Sequence, residues 1–331
     1  MIGHEHEVAL LSFESLYTDN TLHAWANWFK KVWPAYRAWY LREGVLARPT
    51  YFQCREALRL HMPEILPLWE RLLTAVGGGD LEARFLSLYN PPGYQFSCSQ
   101  AVWRGASPML VRNYDYDAKL IDAVVVNSEW NMQQVIGSSD CLIGLVDGMN
   151  QHGLCLSLTF GGKSTVGDGF AMPMILRYVL QTCSNTAEAI AALSRIPSHM
   201  AYNITVLDGS GHVATVHVAP DKKALVTSSP VATNHQPDEM VGASRWRTAT
   251  VERERFLLQR LSTEQETASQ FVAHFLQPPL YSFAFSQGRG TLYTAVYQPD
   301  EQKLTYYWPK HSWSIFLGEK HSKRVTMTFP E

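Results

Sequence analysis

Apolar residues recur at three- and four-residue steps through Trp25, Trp28, Phe29, Val32, Tyr36, Trp39 and Tyr40. That spacing gives one apolar face of a helix, and Asp19, Asn20 or Thr21 is placed to cap it. A second helix is predicted to start at Pro63-Glu64, where proline suits a first helical position, and to stop at Gly77-Gly78-Gly79. The first ninety residues therefore read as helical. From Tyr94 onward the pattern changes to short runs of β-branched and aromatic residues. Strands are predicted near 100–103, 109–112, 121–127, 142–147, 153–160, 202–208 and 212–218, and again at 291–298, 303–308, 313–317 and 324–329. Between the two groups lie predicted helices near 172–183, 187–195, 245–260 and 264–276, the last with a capping box at Ser262 and Gln265. Runs of strands broken by a block of helices predict an α+β fold with antiparallel sheets.

Composition narrows the function classes. The 331 residues suit one large domain or two modest ones, and 46% hydrophobic against 18% charged residues is a globular composition. A net charge of -2 argues against nucleic-acid partners and a polybasic membrane anchor. No apolar run approaches a membrane span of about 18 residues, and the acidic start Met1–Glu7 is not a secretory signal. A cytoplasmic location is expected. Five scattered cysteines without a Cys-x-x-Cys pair indicate neither a disulfide framework nor a zinc site, and no metal or cofactor is expected. His4 and His6 read as part of a terminal tail rather than a metal site.

One cysteine stands apart. Residues 98–103, a turn near Ala106 and residues 109–115 read as a hairpin that sets Cys98 opposite about Tyr114. Arg112 and Asp115 then fall beside the thiol. A guanidinium there favours the thiolate, and a carboxylate anchors an ammonium or orients a base. A buried cysteine with a surface Arg–Asp pair would give the same hairpin.

Further segments run in one order along the chain: Cys98, Arg112-Asn113-Tyr114-Asp115, Asp147–Leu154, Thr159-Phe160-Gly161-Gly162, Thr233-Asn234-His235, Ser244-Arg245 and Gly290–Tyr297. Together they resemble the acyl-coenzyme A:6-aminopenicillanic acid acyltransferase family. More distantly they are similar to choloylglycine hydrolases and penicillin V acylases, all N-terminal nucleophile hydrolases. The resemblance implies a four-layer αββα sandwich, with residues 1–97 as a helical leader packed on a catalytic domain of residues 98–331. It implies autocatalytic cleavage between Ser97 and Cys98, after which the free amine of Cys98 serves as base for its own thiol. Cys98 would form the acyl-enzyme, Arg112 and Asp115 would support thiolate, amine or substrate, and Asn234 would orient the nucleophile and assist the oxyanion. Arg245 matches a hydrolase Ser-Arg position, Arg289 resembles a substrate contact, and His235 is expected beside Asn234 in the pocket. Thr159 stands where bile salt hydrolases carry asparagine, which removes an oxyanion donor that contributes on the order of 3 kcal/mol. Ser97 stands where glycine is common in the acyltransferases.

The implied activity is acyl transfer or hydrolysis at a linear amide or thioester, with acyl-coenzyme A entering only as a substrate. Expected partners are that small molecule and the cleaved leader, with a homo-oligomer allowed. The rival reading is an uncleaved, silent member that binds a small molecule. A papain-like pairing of Cys98 with His235 lacks the local sequence around such a cysteine. Gly161–Thr165 lacks the first glycine of a phosphate loop, since Ser157 stands there.

Overall fold

The computed structural model describes residues 8–95, 97–237, 249–263 and 265–330. His4, His6, Ser244 and Arg245 lie outside the described residues.

The chain opens on strand β1 (Val8–Thr18), followed by helices α1 (His23–Tyr40), α2 (Tyr51–His61), α3 (Leu66–Val76) and α4 (Asp80–Leu86). The α1 periodicity buries Trp25, Ala26, Phe29 and Tyr40. Its N-cap is Leu22 in the left-handed region, without a side-chain cap, because Asp19 instead accepts from the backbone and hydroxyl of Thr21. Pro63 opens a short 3₁₀ turn that leads into α3, and α3 ends on Gly77 at φ 61°, where glycine carries no Cβ penalty. The N-terminal stretch is thus helical as expected, except for β1.

Strands β2 (Ser97–Trp103), β3 (Met109–Tyr116), β4 (Val124–Trp130), β5 (Gln133–Asp140), β6 (Gly144–Asn150) and β7 (Cys155–Phe160) follow. Next come α5 (Met172–Thr182), α6 (Thr186–Arg195), β8 (Tyr202–Leu207), β9 (Val213–Ala219), β10 (Lys222–Thr227) and β11 (Val231–Ala232). The chain finishes with α7 (Thr250–Leu261), α8 (Ala268–His274), β12 (Gly290–Gln298), β13 (Lys303–Trp308), β14 (His311–Phe316) and β15 (Arg324–Pro330). The capping box before α8 is Thr267 with Gln270, five residues beyond the expected Ser262 and Gln265.

Among the described residues these strands form two sheets. One has nine strands in the order β10-β9-β8-β7-β6-β5-β4-β1-β15, the other six in the order β11-β2-β3-β12-β13-β14. Helices α5 and α6 pack on the first sheet. Leu257, Phe271 and Phe275 of the α7–α8 region pack on Ala101, Val111 and Val296 of the second. The layers are helix, sheet, sheet, helix. Between the sheets, Tyr293 and Tyr306 stack with centroids 4.2 Å apart, and Phe13 of β1 meets both rings edge-on.

β1 lies parallel to β4 on one side and antiparallel to β15 on the other, with Val8 opposite Pro330. Deleting residues 1–97 would strip this strand and leave two open edges. A chain starting at Cys98 is expected to aggregate on gel filtration, whereas the full chain elutes as a folded species.

Among the described residues, no helix is long and apolar enough to cross a membrane.

Candidate active site

The β2–β3 hairpin pairs Cys98 with Tyr114, Gln100 with Arg112 and Ser97 with Asp115. Alternation along the strands sends successive side chains to opposite faces of the sheet. Cys98, Gln100 and Arg112 point between the sheets, where Gln100 meets Ser157 and Thr205 and Arg112 meets Leu158 and Asp147. Ser99, Asn113 and Asp115 point the other way, towards α7 and the chain after α8.

Each polar atom of Cys98 has its own buried partner. Arg112 Nη2 lies 3.1 Å from Sγ. The Cys98 N–H donates to Asn234 Oδ1 at 3.1 Å, and Arg253 Nη1 donates to the Cys98 carbonyl at 2.8 Å. The Ser97 hydroxyl also reaches Asn234 Oδ1, at 3.3 Å. Arg253, from α7, completes the ring by donating to Asn234 Oδ1 at 2.9 Å and to Ser99 Oγ at 2.7 Å.

Arg112 is fully buried and held on every side. Its Nη1 forms an ion pair with Asp147 Oδ2 at 2.5 Å, Nε donates to the Leu158 carbonyl at 3.1 Å, and the guanidinium lies 4.6 Å from the centre of the Tyr114 ring. Asp147 in turn accepts from Tyr297 at 2.5 Å, from Tyr293 at 3.3 Å and from Ser138. A buried charge needs such a counter-charge and further hydrogen bonds.

The loop carrying Asn234 is fixed from behind. Asn203 Nδ2 donates to the carbonyls of Thr233 and His235 at 2.8 and 3.0 Å, while Thr159 Oγ1 donates to the Thr233 carbonyl at 2.7 Å. The Thr159 hydroxyl therefore positions the loop and is not aimed at Cys98. His235 turns away as well: its ring meets Thr250 Oγ1 at 3.0 Å and Glu254 Oε2 at 3.1 Å. Asn234 Nδ2 donates to the Phe160 carbonyl at 3.1 Å. Arg289 is exposed at the start of β12.

A family model described as acyl-coenzyme A:6-aminopenicillanic acid acyl-transferase matches residues 103–313. The chain belongs to this acyl-transferase family. Similar solved structures include a penicillin V acylase from Agrobacterium tumefaciens, at 13% identity over 69% of this chain and 90% of that one, with a TM-score of 0.48. A mutant conjugated bile acid hydrolase from Clostridium perfringens has 13% identity, 69% and 96% coverage and a TM-score of 0.42. The Caenorhabditis elegans ortholog of N-acylethanolamine-hydrolyzing acid amidase has 15% identity, 66% and 99% coverage and a TM-score of 0.44. No curated protein matches the chain significantly. Membership in this family makes the chain an enzyme of acyl transfer.

In this acyl-transferase the electrostatics of the thiol differ from the sequence expectation. Burial pushes the Cys98 thiol up to about 12, although Arg112 opposes the shift. Removing a thiolate from water costs more than one guanidinium returns here, so the uncut chain holds a neutral thiol at pH 7. Asp115 does not lie beside the thiol, where the hairpin reading set it. It accepts from Thr291 at 2.7 Å and lies 3.6 Å from Arg253, on the face away from the thiol.

Burial also lifts Asp115 to about 6, against the pull of Arg253, Thr291 and Arg112. A carboxyl raised in the fold is penalised when ionised. The penalty is absent below about pH 4, the ordinary aspartate range, and is fully present above about pH 6. Protonation leaves Arg253 without its counter-charge. Activity is therefore expected to fall on the acid side with an apparent pKa near 6. A profile of kcat/KM against pH checks this, and Asp115→Asn should abolish that limb.

The sequence reading missed Arg253 and gave Asp147 no role. Arg253 shares the buried stripe of α7 with Thr250 and Leu257. A charged residue on the apolar side of a predicted amphipathic helix was the available signal.

Proposed function

We propose that the protein cuts its own Ser97–Cys98 bond and then uses Cys98 as an N-terminal nucleophile for acyl transfer. The Cys98 thiol adds to the Ser97 carbonyl carbon. The C–N bond breaks, its electron pair stays on the Cys98 nitrogen, and that nitrogen takes the thiol proton. Water then hydrolyses the resulting thioester, leaving a Ser97 carboxylate and a free Cys98 amine. In turnover this amine, with an ordinary pKa of about 8, accepts the thiol proton while Sγ attacks the substrate's acyl carbon. The leaving group departs with a proton. Water or an acceptor amine resolves the acyl-enzyme, so hydrolysis and transfer share one set of residues.

One observation carries the reading: Sγ, N and O of a single cysteine each have a dedicated polar partner, Arg112, Asn234 and Arg253. A cysteine that only fills space has no need of them. The family match begins at residue 103, just past Cys98, so the nucleophile's assignment rests on this geometry. Asn234 Oδ1 is placed to accept from the new amine, and its Nδ2 is the side-chain donor available to an oxyanion once it leaves the Phe160 carbonyl. The reaction needs no cofactor, and acyl-coenzyme A enters only as an acyl donor. The cleaved residues 1–97 stay as partner. A cytoplasmic location fits the five free cysteines.

Intact mass of the purified protein tests the reading. Two pieces meeting at Ser97/Cys98, with an acyl group trapped on Cys98 from an amide or acyl-coenzyme A panel, support it. One uncut chain that acquires no acyl group would instead support the silent binding protein.

A further inference from the structure

Asn234 holds the nitrogen of the bond that the proposed function cuts. Its Oδ1 accepts from the Cys98 N–H at 3.1 Å, from Arg253 Nη2 at 2.9 Å and from the Ser97 hydroxyl at 3.3 Å. Three donors compete for the two lone pairs of one amide oxygen, so a small turn of this side chain decides which of them is served. Whatever fixes Asn234 also fixes the scissile nitrogen.

The Thr233–Asn234 peptide is gripped at both ends. Its carbonyl accepts from Thr159 Oγ1 at 2.7 Å and from Asn203 Nδ2 at 2.8 Å. Its N–H donates to Thr250 Oγ1 at 2.6 Å. A peptide unit is planar, so grips on opposite edges set its tilt, while a single grip leaves a pivot. Thr250 is fully buried and opens α7, three residues before Arg253. The first turn of this helix thus holds Asn234 by its backbone and by its side chain.

The Thr250 hydroxyl is itself oriented. It lies 3.0 Å from His235 Nδ1 and 2.9 Å from Thr233 Oγ1, and Glu254 Oε2 stands 3.1 Å from His235 Nε2. A carboxylate only accepts, so Nε2 carries a proton, and in the neutral ring Nδ1 takes the Thr250 hydroxyl hydrogen. The lone pairs of Oγ1 are left for Asn234.

We propose that Thr250 is a positioning residue, whose hydroxyl sets the tilt of Asn234 and so the placement of the Cys98 nitrogen in self-cleavage. The inference rests on the function proposed above. Without the hydroxyl, His235 Nδ1 keeps Thr233 Oγ1 at 3.2 Å. Asn234 N–H, by contrast, has no second acceptor among the described residues. A buried N–H without an acceptor is costly. The peptide then tilts towards another acceptor, about the grip that Thr159 and Asn203 keep on its carbonyl.

Self-cleavage of the full chain is timed in cell-free translation by intact mass. Thr250→Val keeps the shape of the side chain and loses the hydroxyl, and its first-order rate is expected to fall about ten- to hundredfold. Thr250→Ser keeps the hydroxyl and should cut within about threefold of the wild type. Wild-type cleavage by Thr250→Val, or a Thr250→Ser chain as slow as Thr250→Val, overturns this inference and leaves the proposed function standing. A wild-type chain that never cuts overturns both. A second measurement needs no cleavage. In the full chain carrying Cys98→Ala, adding Thr250→Val should speed hydrogen exchange of the Asn234 amide by about tenfold or more, with the amides of β3 unchanged. Equal exchange at Asn234, or a rise shared by β3, counts against Thr250 as the residue that sets the tilt.

Discussion

Cys98→Ala is expected to leave one chain of 37.4 kDa and to lower acyl-transfer activity by a factor on the order of 10⁶, the scale seen when a covalent nucleophile is removed. The fold should survive. Cys98 is fully buried, but the substitution deletes a single heavy atom and costs about 1 kcal/mol. Loss of cleavage and loss of turnover together, with an unchanged circular dichroism spectrum, would separate chemistry from folding. If the variant still splits between residues 97 and 98, another protease makes the cut.

Asp147→Ala should produce the largest loss of stability. The substitution removes the counter-charge of a fully buried Arg112 and takes away the acceptor shared by Tyr293, Tyr297 and Ser138. Breaking a buried pair from one side typically costs about 3–5 kcal/mol, because the remaining charge has no water to return to. The midpoint of urea unfolding should fall accordingly, with an unchanged slope. The folded fraction should also lose about a hundredfold in turnover, since Arg112 no longer holds its position against Sγ. A stability within about 1 kcal/mol of the wild type (the range of an exposed pair) would show that Arg112 finds another partner.

The hairpin was legible because its information is local. Alternation and one turn fix the register, so Cys98 does face Tyr114 and Arg112 does reach the thiol. Local reasoning could not give the sign of the net shift on the thiol, since burial depends on what the rest of the chain stacks over it. The hairpin register sets Asp115 near the cysteine, but the pleat turns it to the opposite face, where Arg253 of α7 and Thr291 of β12 answer its charge. That is also why Arg253 escaped notice. It comes from a helix 155 residues downstream, and nothing near Cys98 announces it. His235 and Thr159 sit next to functional backbone, yet their side chains brace the loop from behind. β1 went unread because an eleven-residue strand beside a long amphipathic helix was absorbed into the helical segment. β5 and β10 carry polar stretches, Gly137-Ser138-Ser139-Asp140 and Lys222-Lys223, that mask their strand character.

The pairing of β1 with β15 joins residue 8 to residue 330. During synthesis, β1 emerges first but waits for its antiparallel neighbour until nearly all of the described chain has left the ribosome. Contacts this distant in sequence form slowly. The nine-stranded sheet, against which the nucleophile's sheet is packed, is therefore finished late, well after Cys98 has been made. Cys98 is therefore fully housed only after β15 has been made, more than two hundred residues behind it.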